Sequence, residues 1–194
     1  MAYGFDLSNI SLERFKRVIQ EGYLIPSMRM LRDGIDDNFR LLEVQGINRI
    51  SELENLISNQ KKTVIFSEAT GIDFTYMTLL RRLASSYRVK PRKLHEFPDI
   101  DVQVLRSMNE DGLKTSKALF EYIEREDSAD VQKSLNLSEA ELQLIVALME
   151  VTQLRYVSPL FATAMVRSGY DSIVKITGAQ GSLFLDDMKR INKE

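Results

Sequence analysis

Six basic residues crowd positions 81 to 93, namely Arg81, Arg82, Arg88, Lys90, Arg92 and Lys93, with no acid among them. Cationic side chains at that density neutralise phosphates, and an affinity built on them falls steeply with salt. The same stretch also reads as a solvated helix end, because basic side chains favour helix C-termini and Pro91 cannot continue a helix. Tyr87 could stack on a base, although packing against a neighbouring helix is the commoner use of a tyrosine. The opposite charge gathers at Glu121, Glu124, Glu126, Asp127 and Asp130, interrupted by Arg125. Such a segment could meet a basic partner or the basic stretch of a second copy, giving head-to-tail association, or it is a solvated connection between repeats.

Little else in the sequence points to catalysis. His95 is the sole histidine, so a triad has one possible base and a two-histidine metal site is excluded within the chain. A surface or capping role suits it better. The pairs Asp36-Asp37 and Asp186-Asp187 raise acid-base or hard-cation chemistry, but adjacent residues on a helix do not face one another. They read instead as a helix start and a solvated helix face. No cysteine is present, which removes thiolate nucleophiles, disulfides and cysteine-ligated metals. The segment Gly178-Ala179-Gln180-Gly181 lacks the lysine and preceding strand of a nucleotide-binding loop. No catalytic residue, metal or cofactor is therefore expected.

The 26 basic and 28 acidic residues leave a formal charge of -2, so no global field draws the molecule to nucleic acid or an anionic membrane and any such affinity must be local. The first twenty residues carry Asp6, Glu13, Arg14, Lys16 and Arg17, unlike the apolar centre of a signal peptide. The densest apolar run, 142 to 149, is far shorter than the roughly 20 residues that span a bilayer. A cytoplasmic protein with no membrane partner is expected, and the absence of cysteine suits a reducing compartment.

Apolar residues recur at three- and four-residue spacing along most of the chain, which predicts helices; only 63 to 66 hints at a strand. A first helix is predicted over 11 to 21, with Leu12, Phe15, Val18 and Ile19 on its apolar face and Gly22 as a left-handed stop, before Pro26 opens the next element. Beyond it lies an internal repeat. Gly46-Ile47, Gly112-Leu113 and Gly169-Tyr170 are each preceded at four residues by Leu42, Met108 or Met165, and at seven by Phe39, Leu105 or Ala162. Another apolar residue, Leu53, Leu119 or Ile176, follows seven positions after each glycine. The spacing predicts a helix of about ten residues, a glycine at positive φ and a second short helix. The first two copies are offset by 66 residues. A second block, Gly71-Ile72-Asp73 against Asn136-Leu137-Ser138, repeats at 65, with Asp73 and Ser138 suited to N-caps and Ser138 with Glu141 at capping-box spacing.

This order of hairpin, helix start, long apolar helix and next hairpin, closing with Met188-Lys189-Arg190-Ile191-Asn192-Lys193-Glu194, resembles the bacterial domain of unknown function 4332 family over about residues 8 to 194. The resemblance implies tandem helix-hairpin-helix, SAM-like domains and no established activity. In DNA-binding members of the helix-hairpin-helix class the turn carries two glycines, and backbone amides beyond it hold a phosphate. The corresponding turns are Gly34-Ile35-Asp36, Asp99-Ile100-Asp101 and Tyr156-Val157-Ser158. The first two place carboxylates where a phosphate would sit. The third is neutral, flanked by Arg155 and Pro159 and followed by Arg167, and is the one hairpin suited to phosphate contact.

These readings give an all-α protein of tandem helix-hairpin-helix repeats, with an N-terminal lead-in over 1–24, a first lobe over 25–93 and a second lobe of paired hairpins over 94–194. The expected function is non-enzymatic binding of nucleic-acid backbone, DNA first, without sequence preference. Arg81, Arg82, Arg88, Lys90, Arg92, Lys93, Arg155, Ser158 and Arg167 are the expected contacts. The alternative is an interaction module for another protein or a second copy.

Overall fold

Short polar residues at helix starts and apolar residues one turn apart give the chain its helices, as the first of them shows. The Ser11 hydroxyl accepts the Arg14 N–H at 3.1 Å, satisfying an amide that the helix leaves open. The helix that follows, α1 (Leu12–Glu21), buries Leu12, Phe15 and Ile19. A computed structural model describes residues 3, 4 and 6–191. Asn192, Lys193 and Glu194, the end of the motif that carries the family resemblance, lie outside the described residues, as do Met1, Ala2 and Phe5. Among those described the regular structure is all helical, and no strand forms.

The chain divides into two compact units, Phe5–Arg88 and Val89–Glu194 together with Met1–Gly4. The first holds α1, α2 (Ile35–Val44), α3 (Ile50–Leu56), α4 (Gln60–Thr70) and α5 (Phe74–Ser85). Phe15, Ile19, Phe39, Leu42, Leu53, Met77 and Leu80 close its core. The lead-in helix α1 thus packs within this unit, and the division falls between Arg88 and Val89, where 24/25 and 93/94 were expected. The second unit holds α6 (Val102–Glu110), α7 (Ser116–Ile123), α8 (Ser128–Leu135), α9 (Glu139–Val151), α10 (Pro159–Arg167), α11 (Ile173–Gly178) and α12 (Gly181–Ile191). Its core is formed by Phe97, Met108, Leu119, Val131, Leu135, Leu148 and Met165, among others.

The three glycine-ended helices share a backbone turn. Gly46, Gly112 and Gly169 adopt φ of +77°, +77° and +86°, the left-handed region where a side chain is disfavoured. The next residue then donates back across the helix end: Ile47 N–H to Leu42 O at 3.3 Å, Leu113 to Met108 at 2.8 Å, Tyr170 to Met165 at 2.9 Å. That bond satisfies a carbonyl which the helix leaves unpaired and turns the chain into the next helix. In the second block Gly71 and Asn136 both end a helix left-handed, and Asp73 and Ser138 both cap the next. Asparagine serves where glycine would because its short polar side chain tolerates this conformation.

A further correspondence joins the two units' backbones in kind. Ser11 and Arg49 form an isolated antiparallel bridge in the first unit, as do Lys93 and Thr115 in the second. In the first, Leu12 N–H donates to Asn48 O and Ile50 N–H to Ile10 O; in the second, Leu94 N–H donates to Lys114 O and Ser116 N–H to Arg92 O. Each bridge stitches the segment before the unit's opening elements to the turn between two later helices.

Three local expectations are corrected. Gly22 ends α1 at φ -76°, not left-handed. Glycine fits there because a Cβ would lie 2.4 Å from the Val18 carbonyl oxygen, inside any permissible contact. Val18 itself is exposed and stands apart from the buried face of α1. Residues 63 to 66 are helical, within α4, where Thr63 is buried and its hydroxyl donates to the Ile57 and Asn59 carbonyls.

Candidate nucleic-acid interface

The basic stretch is divided between the two units, with Arg81, Arg82 and Arg88 in the first and Lys90, Arg92 and Lys93 in the second. Neither unit is strongly charged. Residues 5–88 carry twelve basic and eleven acidic side chains, and 89–194 fourteen and seventeen. Attraction for a polyanion must come from local placement in either.

In the first unit α5 buries Leu79, Leu80, Leu83 and Ala84, which turns Arg82 out to solvent and leaves Arg81 half-buried. Arg88, beyond the helix end, folds back instead onto α3. Its Nε and Nη2 donate to the two Glu54 carboxylate oxygens at 3.1 and 2.8 Å, a bidentate pair. The hydrogen bonds and charge of Glu54 raise the Arg88 pKa above its ordinary value. The pair is structural first. Arg88→Ala would leave a Glu54 side chain only 9% exposed without its partner, while Arg88 itself is 65% exposed. Stranding a fully buried charge costs about 3–5 kcal/mol, and water around Arg88 brings the expected loss down to about 1 kcal/mol. Urea titration should show Arg88→Ala less stable than Glu54→Gln, which removes the charge instead of stranding it; the reverse order would refute the pairing.

In the second unit the antiparallel bridge holds Arg92 and Lys93 beside Lys114 and Thr115. The Ser116 hydroxyl accepts the Arg92 N–H at 2.9 Å and shares a 2.6 Å hydrogen bond with the Tyr3 hydroxyl, fixing this edge from both sides. Burial raises the Tyr3 pKa, against the opposing pull of the Ser116 hydrogen bond and of Arg92. Lys90, Lys93 and Lys114 are exposed. Lys114 is a cation that reading along the chain did not associate with Lys93, because one half of the backbone bridge that brings them together, Ser11 in the first unit and Lys93 in the second, is not at the repeat's spacing of 66 residues.

The third turn is less open to phosphate than expected. Tyr156 takes φ +69°, and the Arg155 guanidinium lies 4.9 Å from its ring centroid, a cation–π contact. The Ser158 hydroxyl accepts the Phe161 N–H at 3.2 Å, Pro159 has no N–H, and Ala162 N–H already donates to Ser158 O. Leu160 alone keeps a first-turn amide outside these bonds. Arg167 makes two hydrogen bonds to the Asp99 carboxylate, one of 2.8 Å from Nε and one from Nη2, and these raise its pKa. The residues of this turn mainly hold one another.

Beside that turn lies a groove of about 570 Å³ between α10 and α12. Its apolar lining includes Leu160, Phe161, Ala164 and Met188, and its ionic lining consists of Arg167 and Lys189. Leu160 is 70% exposed. The helical spacing of α10 did not reveal this, because periodicity identifies an apolar residue without showing whether a neighbour covers it.

The remaining charged motifs have ordinary partners. Asp36 pairs with Lys16 at 2.9 Å, raising the lysine pKa, and Asp37 pairs with Arg40. Asp186 pairs with Lys189, while Asp187 meets Arg190 and accepts the Tyr170 hydroxyl at 2.8 Å. His95 is exposed on a short 3-10 turn. Among the described residues no group of three His, Cys, Asp or Glu side chains is placed to hold a metal ion. Among them, too, no helix is long and apolar enough to cross a membrane. Comparison of the chain with family models, curated proteins and solved structures finds no match.

Proposed function

We propose that this protein is a non-enzymatic binding protein of tandem helix-hairpin-helix type that holds nucleic-acid backbone without sequence preference. The observation that carries the reading is the state of Arg81, Arg82, Lys90, Arg92 and Lys93. Among the described residues none of these five side chains is engaged in an ion pair, whereas Arg88 and Arg167 are. Arg82, Lys90 and Lys93 are exposed and Arg81 and Arg92 half-buried; cations not tied to carboxylates suit phosphates, and side chains that meet only phosphates carry no base readout. The family resemblance supports the same fold type and leaves the ligand open.

The test is binding of the full chain to two fluorescent 20-base-pair duplexes of unrelated sequence at 50 and 200 mM salt. About four phosphate contacts predict similar affinity for both and a loss of roughly 10²-fold across that salt range. No binding at 50 mM, or a strong preference between the duplexes, would defeat the reading.

A second reading, association with another copy of the chain, is favoured by the groove between α10 and α12. Its apolar floor, with Leu160 largely exposed, suits an apolar surface on a second copy, whereas its two cations, Arg167 and Lys189, are already paired with Asp99 and Asp186. Sedimentation velocity across a hundredfold concentration range would distinguish it: association that Leu160→Asp abolishes supports it, and a monomer throughout rejects it.

A further inference from the structure

α4 and α5 form a hairpin whose charge is segregated along its length. Gly71, Ile72 and Asp73 connect them; Gly71 N–H donates to Ser67 O at 2.9 Å, and Asp73 caps α5 by accepting the Tyr76 N–H at 2.9 Å. So short a connection between packed helices makes them antiparallel neighbours. The first turn of α4 therefore lies at the same end as the last turns of α5. A separate observation fixes that end: Glu54, in the helix before α4, is bonded to Arg88, just after α5. Lys62 Nζ also donates to Asn55 O at 3.2 Å, holding the start of α4 against the same helix.

This open end gathers Lys61 and Lys62 from α4 with Arg81 and Arg82 from α5, and the carboxylate bonded there, Glu54, is already neutralised by Arg88. Lys61, Lys62 and Arg82 are exposed. The hairpin's acids, Glu68 and Asp73, lie toward the connecting turn. Glu68 is about 9 Å from Lys62 along the helix at 1.5 Å per residue, roughly one Debye length in physiological salt. Its charge is thus largely screened from an anion at the open end. The positive N-terminus of α4 and the negative C-terminus of α5 meet there and offset each other, so the local field comes from side chains.

We propose that Lys61 and Lys62 act with Arg81 and Arg82 as one backbone-phosphate contact on the first unit. This assignment rests on the nucleic-acid reading and extends it to a helix that the basic stretch 81 to 93 does not include. Neighbouring residues on a helix diverge, so two or three of the four cations can meet phosphates at once. The test compares full-length wild type, Lys61→Ala/Lys62→Ala, Arg81→Ala/Arg82→Ala and Glu68→Gln on a labelled 20-base-pair duplex over 50–200 mM salt, with circular dichroism verifying the fold. Both double variants are expected to flatten the log–log salt slope by about 0.9 for each phosphate that is no longer neutralised. Glu68→Gln, which raises net charge at the far end, should leave the slope unchanged. If wild type binds and Lys61→Ala/Lys62→Ala keeps its slope, this inference fails while the proposed function stands. If Glu68→Gln raises log affinity by half of what Lys61→Ala/Lys62→Ala removes, overall charge governs and the inference also fails. Absence of binding by wild type overturns both.

Discussion

Replacing Phe39 by alanine is expected to cost about 3–5 kcal/mol, the range for removing a buried aromatic ring and leaving a partly relaxed cavity. Phe39 has no exposed surface and lies among Ile35, Leu42 and Phe15 in the first unit. Its ring centroid is 6.3 Å from that of Phe15, which in turn meets Tyr87 edge-on at 5.8 Å. These rings tie α2 to α1 and to the chain beyond α5, so the cavity would open where three segments converge. Total stability for a unit of this size is on the order of 4–13 kcal/mol, making the substitution a large fraction of it. Urea titration followed by far-ultraviolet circular dichroism measures the loss, with Phe39→Leu as a milder control expected to lose about half as much. A loss below about 1 kcal/mol for the alanine variant would mean that Phe39 is not at the centre of this core.

Alkaline destabilisation through Tyr76 is the second large effect. Its ring is buried, and its hydroxyl donates to Leu31 O at 3.0 Å, joining α5 to the segment before α2. Burial pushes its pKa up to about 12; a hydrogen bond from Asn38 opposes the shift and the charge of Asp33 adds to it. A phenol in the unfolded chain ionises near 10. Below pH 10 both states hold the proton and the contact contributes its full stability. Between pH 10 and 12 the unfolded state loses its proton while the folded state keeps it, so stability falls as pH rises. Two pH units of differential ionisation amount to about 3 kcal/mol. Tyr76→Phe should lose about 1 kcal/mol at neutral pH with the hydrogen bond and then show a shallower decline above pH 10. Equal decline in both proteins would refute the role of this hydroxyl.

The fold was legible in the sequence to the extent that its signals are local. The left-handed glycines at 46, 112 and 169, and the caps at Asp73 and Ser138, follow from what a helix must do with its unpaired amides and carbonyls over a few residues, whereas left-handed Gly71 and Asn136 emerged only in the fold. The all-helical class follows from apolar spacing. The candidate interface was legible only as a list of cations. Whether a long arginine remains in solvent or folds onto a carboxylate depends on distant chain: Glu54 for Arg88, thirty-four residues earlier, and Asp99 for Arg167, sixty-eight earlier. The same limit applies to Lys114 beside Lys93 and to the open apolar groove at Leu160. Gly22 shows it in small, since its residue type signalled a helix end while the reason, the nearness of the Val18 carbonyl, emerges from the folded turn.

The antiparallel bridge of the second unit determines where the chain can be cut. A fragment beginning at residue 94 would discard Arg92 and Lys93, leaving the Ser116 amide without its carbonyl acceptor and the Ser116 hydroxyl without the Arg92 N–H. One beginning at 89 keeps both backbone halves of that stitch and gives up the Tyr3 and Gly4 hydrogen bonds to Ser116 and Gln153, so proteolysis or expression in pieces should respect the earlier position.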